Sequence, residues 1–323
     1  MIVDLHPTDD QLLVEESVAG LLARRLPVDR LRYPAAGQAA TEHAIWEEFA
    51  EIGLFGLGLP EASGGVGYGL PEEVLVARAL GRHLGSPAVL ATMVAAHLAA
   101  EAAEAGLLLG ILAGHVRAGF AQTVAEGELQ LFDAGRADRL VLLGPQGAVL
   151  IDATSLSKRR TVQSIDETLG LERAGLPAFA AGDPAIADRA SLLLAAALVG
   201  IAQATLDMAV DYAGTRQQFG RPIGAFQAIK HLCADMAVRA AAAEAQLFHA
   251  AATAGLVADG EAEIAASRLL AADAALANAK ANIQIHGAMG FTAECNAHLY
   301  LKRAHVLAML GSSRGRELRR VLG

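Results

Sequence analysis

Apolar positions recur at helical spacing over both ends of the chain and give way to short solid runs in the middle. In "PTDDQLLVEESVAGLLARRL", Leu12, Leu13, Val18, Leu21 and Leu22 keep a three-to-four-residue rhythm behind a capping signal at Thr8-Asp9-Asp10. "EHAIWEEFAEIGLFG" predicts a second helix with Trp46, Phe49, Ile52 and Leu54 on its buried side. Gly64, Gly65, Gly67 and Gly69 then make a loop and a further helix follows. "SPAVLATMVAAHLAAEAAEAG" reads as one alanine-rich helix.

Between about 116 and 183 the rhythm changes. "AGFAQTVA", "ADRLVLLG" and "GAVLIDA" are apolar runs bounded by Gly and Asp, the pattern of buried strands, and "LSKRRTVQSID" reads as a strand on an exposed edge. Helical spacing then returns over Ser191 to Ala213, about Phe226 to Ala254 and about Glu261 to His286, with a short closing helix from about Asn296. The expected fold is mainly α with a small β region. It has an N-terminal helical domain over 1–115, a reduced β domain over 116–183 and a C-terminal four-helix bundle over 184–323.

Composition sharpens this. Of the 323 residues 54 % are hydrophobic but only 4 % aromatic, so Ala, Leu, Val and Ile carry the core, which suits packed helices. A net charge of −9 offers no basic stripe for nucleic acid. The two cysteines, Cys233 and Cys295, lack metal or disulfide spacing, and a reducing cytoplasm fits them. "MIVDLHPTDDQLL" lacks the pattern of a secretory signal. The longest apolar run, Leu192 to Ala202, falls short of the roughly 20 residues of a membrane span. A cytoplasmic protein without membrane or nucleic-acid partners is expected.

Two interruptions of the helical pattern carry candidate chemistry. In "TRQQFGRPIGAFQ", Gly220 and Gly224 open backbone angles closed to other residues, Pro222 removes an amide donor, and Arg216 and Arg221 flank them. A plain turn with solvated arginines would account for this segment alone. The second break, "QIHGAMGFTAE", sets Gly287 and Gly290 behind Gln284. Glycines admit a flat or anionic ligand to the backbone, and an arginine fork can hold two phosphate oxygens. Together the two loops suggest a dinucleotide clamp.

"RQQFGRPIGAFQAIKHLCADM", "QIHGAMGFTAECNAHLYLKRA" and "WEEFAEIGLFGLGLPEASGGVG" resemble three signatures of the acyl-CoA dehydrogenases, and the resemblance spans nearly the whole chain. It implies the helix–β–helix architecture, FAD as cofactor, α,β-desaturation of an acyl-CoA thioester, a dimer of dimers and an electron-transfer flavoprotein as oxidant. It further implies that the hairpin reaches a neighbouring subunit's FAD. Arg216 would pair with the pyrophosphate, Gln218 would hydrogen-bond nearby and Phe219 would pack on the cofactor. Gln227 would lie close to the same contact, Gln284 and Gly287 would meet the ADP portion, and the Ser312 hydroxyl would approach FAD.

The sequence also departs from that family. Leu310 stands where most members place the catalytic glutamate, and no acid follows until Glu317. Where other members place the base, on the helix before the hairpin, the position falls near Ala190. The nearest acid there, Asp188, is displaced by about 200° around a helix and reads as a helix N-terminal charge. The family's "TEP…GSD" and "W.TN" flavin-holding runs do not occur. No catalytic residue and no metal site is therefore assigned. The chain resembles the smaller subunit of heteromeric α2β2 bacterial acyl-CoA dehydrogenases of steroid side-chain degradation, whose larger subunit would carry the base. A complete homomeric flavoenzyme with a relocated base and a flavin-free scaffold subunit are the alternatives. Among other residues, His231 reads as a core or interface histidine, and Met236 and Met289 as core. His286 reads equally as a ligand contact or not, and Arg303 as an interface residue or an ordinary ion pair.

Overall fold

The computed structural model describes residues 5–32, 45–125, 127–254 and 260–322. Helix α1 (Asp9–Arg25) starts at a capping box in which Thr8 and Gln11 bond reciprocally. Helix α2 (45–51 among the described residues) buries Trp46 and Phe49, and Leu54 is buried just beyond it. Ile52, expected on the same face, is 48 % exposed. The helix stops at left-handed Gly53 (φ 74°), so Ile52 falls in the turn.

Helices α3 (Leu70–Arg82), α4 (Pro87–Glu101) and α5 (Ala105–Leu112) complete the first region. The single helix expected over 86–106 is two, because the chain turns through Ala103 with φ 54°. Strands β1 (Ala118–Ala125), β2 (Glu128–Phe132), β3 (Arg139–Gly144), β4 (Gly147–Asp152), β5 (Ser157–Val162) and β6 (Leu171–Gly175) form one sheet in the order β4-β3-β1-β2-β6-β5. Only the β1–β3 pair is parallel. Phe120, Phe132 and Val141 face the helices, while Ala121, Leu131 and Leu142 join a second core on the other side. Burial on both faces explains the solid apolar runs of β1 and β3. β5 is the exposed edge strand expected. β2 and β6 were not anticipated, since "ELQLF" and "LERAG" mix charge into the strand.

Helix α6 (Pro184–Thr215) begins earlier than the apolar pattern, because Asp183 accepts the Ile186 N–H at 3.0 Å and Pro184 opens the first turn. It is long and apolar enough to cross a membrane, contrary to the shorter run read from sequence, yet 72 % of its most apolar window is buried inside the protein. A Cβ on Gly200 would come within 2.1 Å of the Arg78 carbonyl, so α6 and α3 cross almost backbone to backbone. Helices α7 (Gln227–Thr253) and α8 (Gly260–His286) pack on α6. Buried Asn278 donates to the carbonyls of Ala202 and Met236, both at 3.0 Å, tying the three together.

Helix α9 (Ala297–Met309) does not close the bundle, as the sequence suggested. Helix α10 (Arg314–Leu322) follows and packs on α8. Arg303 of α9 is an internal ion pair: its Nε donates to Asp166 at 2.6 Å, Nη1 to the carbonyls of Leu84 and Gly85, and Nη2 to Thr168. That single side chain joins all three regions of the chain.

Candidate functional site

α6, α7 and α8 run up, down and up, so the end of α6, the start of α7 and the end of α8 meet at one end of the bundle. Both interruptions of the sequence lie there. The first is a two-residue ribbon, β7 (Gln217–Gln218) paired with β8 (Arg221–Pro222), turned by Phe219 and Gly220. Both turn residues are left-handed, with φ of 52° and 76°. Such turns favour Asn-Gly, and a phenylalanine in this region is strained. Phe219 is nevertheless 90 % exposed. Its ring meets Phe226 edge-on at 6.0 Å, and the Arg221 guanidinium lies 4.3 Å over the Phe226 ring.

The ribbon is firmly seated. Arg216 caps α6 through its N–H to the Tyr212 carbonyl at 2.8 Å, and its own carbonyl accepts the Ile223 N–H at 2.8 Å. A Cβ on Gly224 would lie 3.0 Å from the Ala213 carbonyl, so the returning strand presses on α6. The Arg216 side chain is directed outward and exposed, as are Gln218 and Gln227.

The second interruption ends α8 at Gly287, left-handed with φ 61°, and Gln284 and Gly287 are both exposed. His286 contacts the Asn282 carbonyl through Nδ1 at 2.9 Å and stacks on Tyr212 at a ring separation of 4.2 Å. Arg216, Gln218, Phe219, Gln227, Gln284 and Gly287 thus share one solvent-facing end. Met289, expected in the core, is 49 % exposed beside them, and Phe291 is 74 % exposed. Met236 is core. His231 is exposed on the first turns of α7 and is not a core histidine.

Ser312 lies elsewhere. It lines a cavity of about 350 Å³ with Asp188, which sits near the start of α6. From Asp188 to Tyr212 the helix rises about 36 Å. Within one chain, therefore, Ser312 and the hairpin belong to opposite ends of the bundle.

Leu310 is fully buried at that far end, and its loop is pinned by Gln122. The Gln122 side chain accepts the Gly311 N–H at 2.6 Å and donates to the Met309 carbonyl at 3.1 Å. Ala190 is fully buried and carries no acid. Asp188 pairs with Arg320 at 2.8 Å. Burial pushes its carboxyl above the ordinary aspartate range, with Arg320 opposing.

Sequence reasoning missed the company Asp188 keeps. Glu317, set aside as too far along the chain, is 1 % exposed and lines the same cavity, because α10 folds back onto α8. Buried Arg268 joins it, donating through Nη2 to the carbonyls of Leu307 and Leu310. Burial lowers the Arg268 pKa to about 10, which leaves it charged at neutral pH. One signal was available: Arg268 falls in the helical row Ile264, Arg268, Ala271, Ala275, whose other members are apolar.

Residues 8–107 match the model of the acyl-CoA dehydrogenase N-terminal domain, and residues 187–318 that of the acyl-CoA dehydrogenase C-terminal domain. The chain belongs to the acyl-CoA dehydrogenase family. It is 34 % identical over 327 residues to the acyl-CoA dehydrogenase IpdE2 of Mycobacterium tuberculosis, covering 98 % of each protein. It is 35 % identical over 304 residues to the acyl-CoA dehydrogenase FadE34 of the same organism, a match covering 88 % of this chain but 42 % of FadE34. Among solved structures, a variant of the Tcur3481-Tcur3483 steroid ACAD superposes with a TM-score of 0.80 at 25 % identity over 97 % of this chain and 96 % of that one. The ChsE4-ChsE5 complex of M. tuberculosis superposes with a TM-score of 0.81 at 20 % identity, over 99 % and 98 %, and shows the shared fold. This dehydrogenase accordingly has its family's fold of two helical regions around a small sheet.

Proposed function

We propose that this acyl-CoA dehydrogenase chain is the FAD-gripping, non-catalytic subunit of a heteromeric enzyme that desaturates an acyl-CoA thioester of the steroid side-chain class. The observation that carries the reading is Phe219. A bulky residue in a left-handed turn costs about 1–3 kcal/mol, and at 90 % exposure it recovers little of that by burial in its own chain. A contact outside the chain accounts for its position.

The residues at this end suit FAD. Arg216 offers a planar fork to the pyrophosphate, Gln218 a neighbouring hydrogen bond and Phe219 an aromatic face, with Gln227 alongside. Gln284 and the open backbone at Gly287 suit the adenosine side. FAD, when bound, supplies the hydride acceptor for α,β-desaturation. The larger subunit would contribute the base that takes the α-proton, and an electron-transfer flavoprotein would receive the electrons, in the cytoplasm.

Three observations support the division of labour. Leu310 replaces the acid expected at its position. The cavity beside it is lined by Asp188, Glu317, Arg268 and Arg320, and an apolar acyl chain laid there would desolvate charges at high cost. The two-component names of the Tcur3481-Tcur3483 and ChsE4-ChsE5 structures, and the length of FadE34 at more than twice this chain, fit a unit that works beside another.

The same cavity motivates a second reading, a complete enzyme whose relocated base is Asp188 or Glu317. It ranks below the first because Arg320 holds Asp188 at 2.8 Å and lies 3.7 Å from Glu317. Acyl-CoA dehydrogenation by the purified chain alone decides for the second reading. Activity only with a co-expressed larger subunit, lost with its FAD when Arg216→Ala is introduced, decides for the first. FAD affinity unchanged in that variant would instead identify a flavin-free scaffold.

A further inference from the structure

A cavity of about 170 Å³ lies between α2, the start of α4 and the β2–β3 connection, and among the described residues none from α6 to α10 lines it. Leu26, Trp46, Phe49 and Val89 give it an apolar wall. An apolar cavity of about 150 Å³ holds one benzene ring, so this one has room for a single six-membered ring.

Its polar end is formed by Asp133 and Ser86. Both line the cavity and both keep accessible surface, although Asp133 lies deep enough for burial to push its carboxyl above the ordinary aspartate range. The surface that Asp133 exposes is therefore cavity wall. Its position is fixed: the backbone is left-handed with φ 49°, and its N–H donates to the Gly170 carbonyl at 2.7 Å. The Ser86 hydroxyl donates to the Asp133 carboxyl and accepts the Ala88 N–H at 3.0 Å. Ser86 thus has no donor to spare. A carboxylate offers about four lone-pair sites, and Ser86 with the Gly170 backbone engages only part of them. A carboxyl held against ionisation costs stability at neutral pH, and such groups gather at binding sites.

What remains at this end is acceptor capacity, so an occupant must bring a donor. Arg117 and Arg136 line the same cavity, with the Arg117 guanidinium 4.5 Å over the Trp46 ring. Two guanidiniums disfavour a cationic donor, and an uncharged hydroxyl meets both conditions.

We propose that this cavity binds an uncharged cyclic alcohol of about six carbons, its ring against Trp46, Phe49 and Val89 and its hydroxyl donating to Asp133. The proposal does not depend on the assignment of FAD to the hairpin end of the bundle.

Trp46 is the one tryptophan of the chain, so its fluorescence reports on this cavity alone. The full-length chain is titrated with cyclohexanol, with fluorocyclohexane, which has nearly the same shape but no O–H, and with cyclohexylammonium. The expected result is a saturable change in Trp46 emission, with the alcohol binding at least about tenfold more tightly than the fluoride. Asp133→Gly, which suits the left-handed backbone, should remove that preference and leave fluorocyclohexane binding in place. Val89→Phe, which fills the cavity, should abolish binding of both. Absence of a saturable change, equal affinity for alcohol and fluoride, tighter binding of the ammonium, or a preference that survives Asp133→Gly would overturn the proposal. If the variants do not fold, the three-ligand comparison on the unaltered chain decides by itself.

Discussion

The rings of Tyr212 and His286 stack 4.2 Å apart, 20° from parallel, and so hold the two breaks of the helical bundle against each other. Tyr212 lies one turn before the Arg216 ribbon, and His286 precedes Gly287. An aromatic pair of this kind is worth about 0.5–1.5 kcal/mol beyond its buried area. Tyr212→Leu should therefore leave helix content intact while weakening FAD capture by the assembled enzyme several-fold. Cofactor titration of the variant complex measures this, and an unchanged affinity would mean that the two breaks act independently.

Phe219 predicts a trade between stability and capture. Asparagine tolerates the left-handed region that phenylalanine resists. Phe219→Asn should leave the unfolding free energy of the isolated chain unchanged or raise it by up to about 1 kcal/mol. The same substitution should lower FAD occupancy of the complex. A variant that loses stability without losing occupancy would assign Phe219 to the fold.

Arg303 predicts the reverse. It is 2 % exposed, and its removal leaves Asp166, itself 1 % exposed, as an unpaired buried charge. Arg303→Met should cost about 3–5 kcal/mol in urea unfolding. Arg303→Lys should recover little, because one ammonium cannot reach Asp166, Thr168 and the carbonyls of Leu84 and Gly85 together.

Asp133 predicts a pH dependence. Burial pushes its carboxyl above the ordinary 3.8, outweighing the Ser86 hydroxyl that donates to it and the nearby charge of Arg303. A carboxyl with a raised folded pKa binds its proton more tightly when folded. Its contribution is therefore complete at low pH and is lost as pH rises through the window from 3.8 to the folded pKa. Asp133→Asn keeps the shape, suits the φ of 49° and removes the titration. The variant should match the parent near pH 4 and melt at a higher temperature at pH 7. A melting difference that does not vary with pH would contradict this assignment.

The helical framework was legible because long amphipathic helices repeat their pattern many times and carry caps such as Thr8 and breaks such as Gly287. The hairpin residues and Gln284 were legible as one group because an up–down–up bundle returns alternate ends to the same place. Ser312 could not be separated from them without the direction of α9 and α10. Glu317 and Arg268 were passed over because nearness in the fold comes from α10 folding back on α8, which leaves no local trace. Ile52 and Met289 are exposed for a local reason, since each lies beside a left-handed glycine that turns the chain, Gly53 and Gly287. The split of the 86–106 helix at Ala103 was not legible because alanine, the best helix former, carries no sign of a left-handed turn.

Visible absorption of the purified chain, measured alone and after co-expression with its larger partner, tests the shared-cofactor claim most directly. The account predicts a colourless protein alone and a yellow complex holding about one FAD per heterodimer. Stoichiometric FAD on the isolated chain, with turnover of an acyl-CoA, would contradict it.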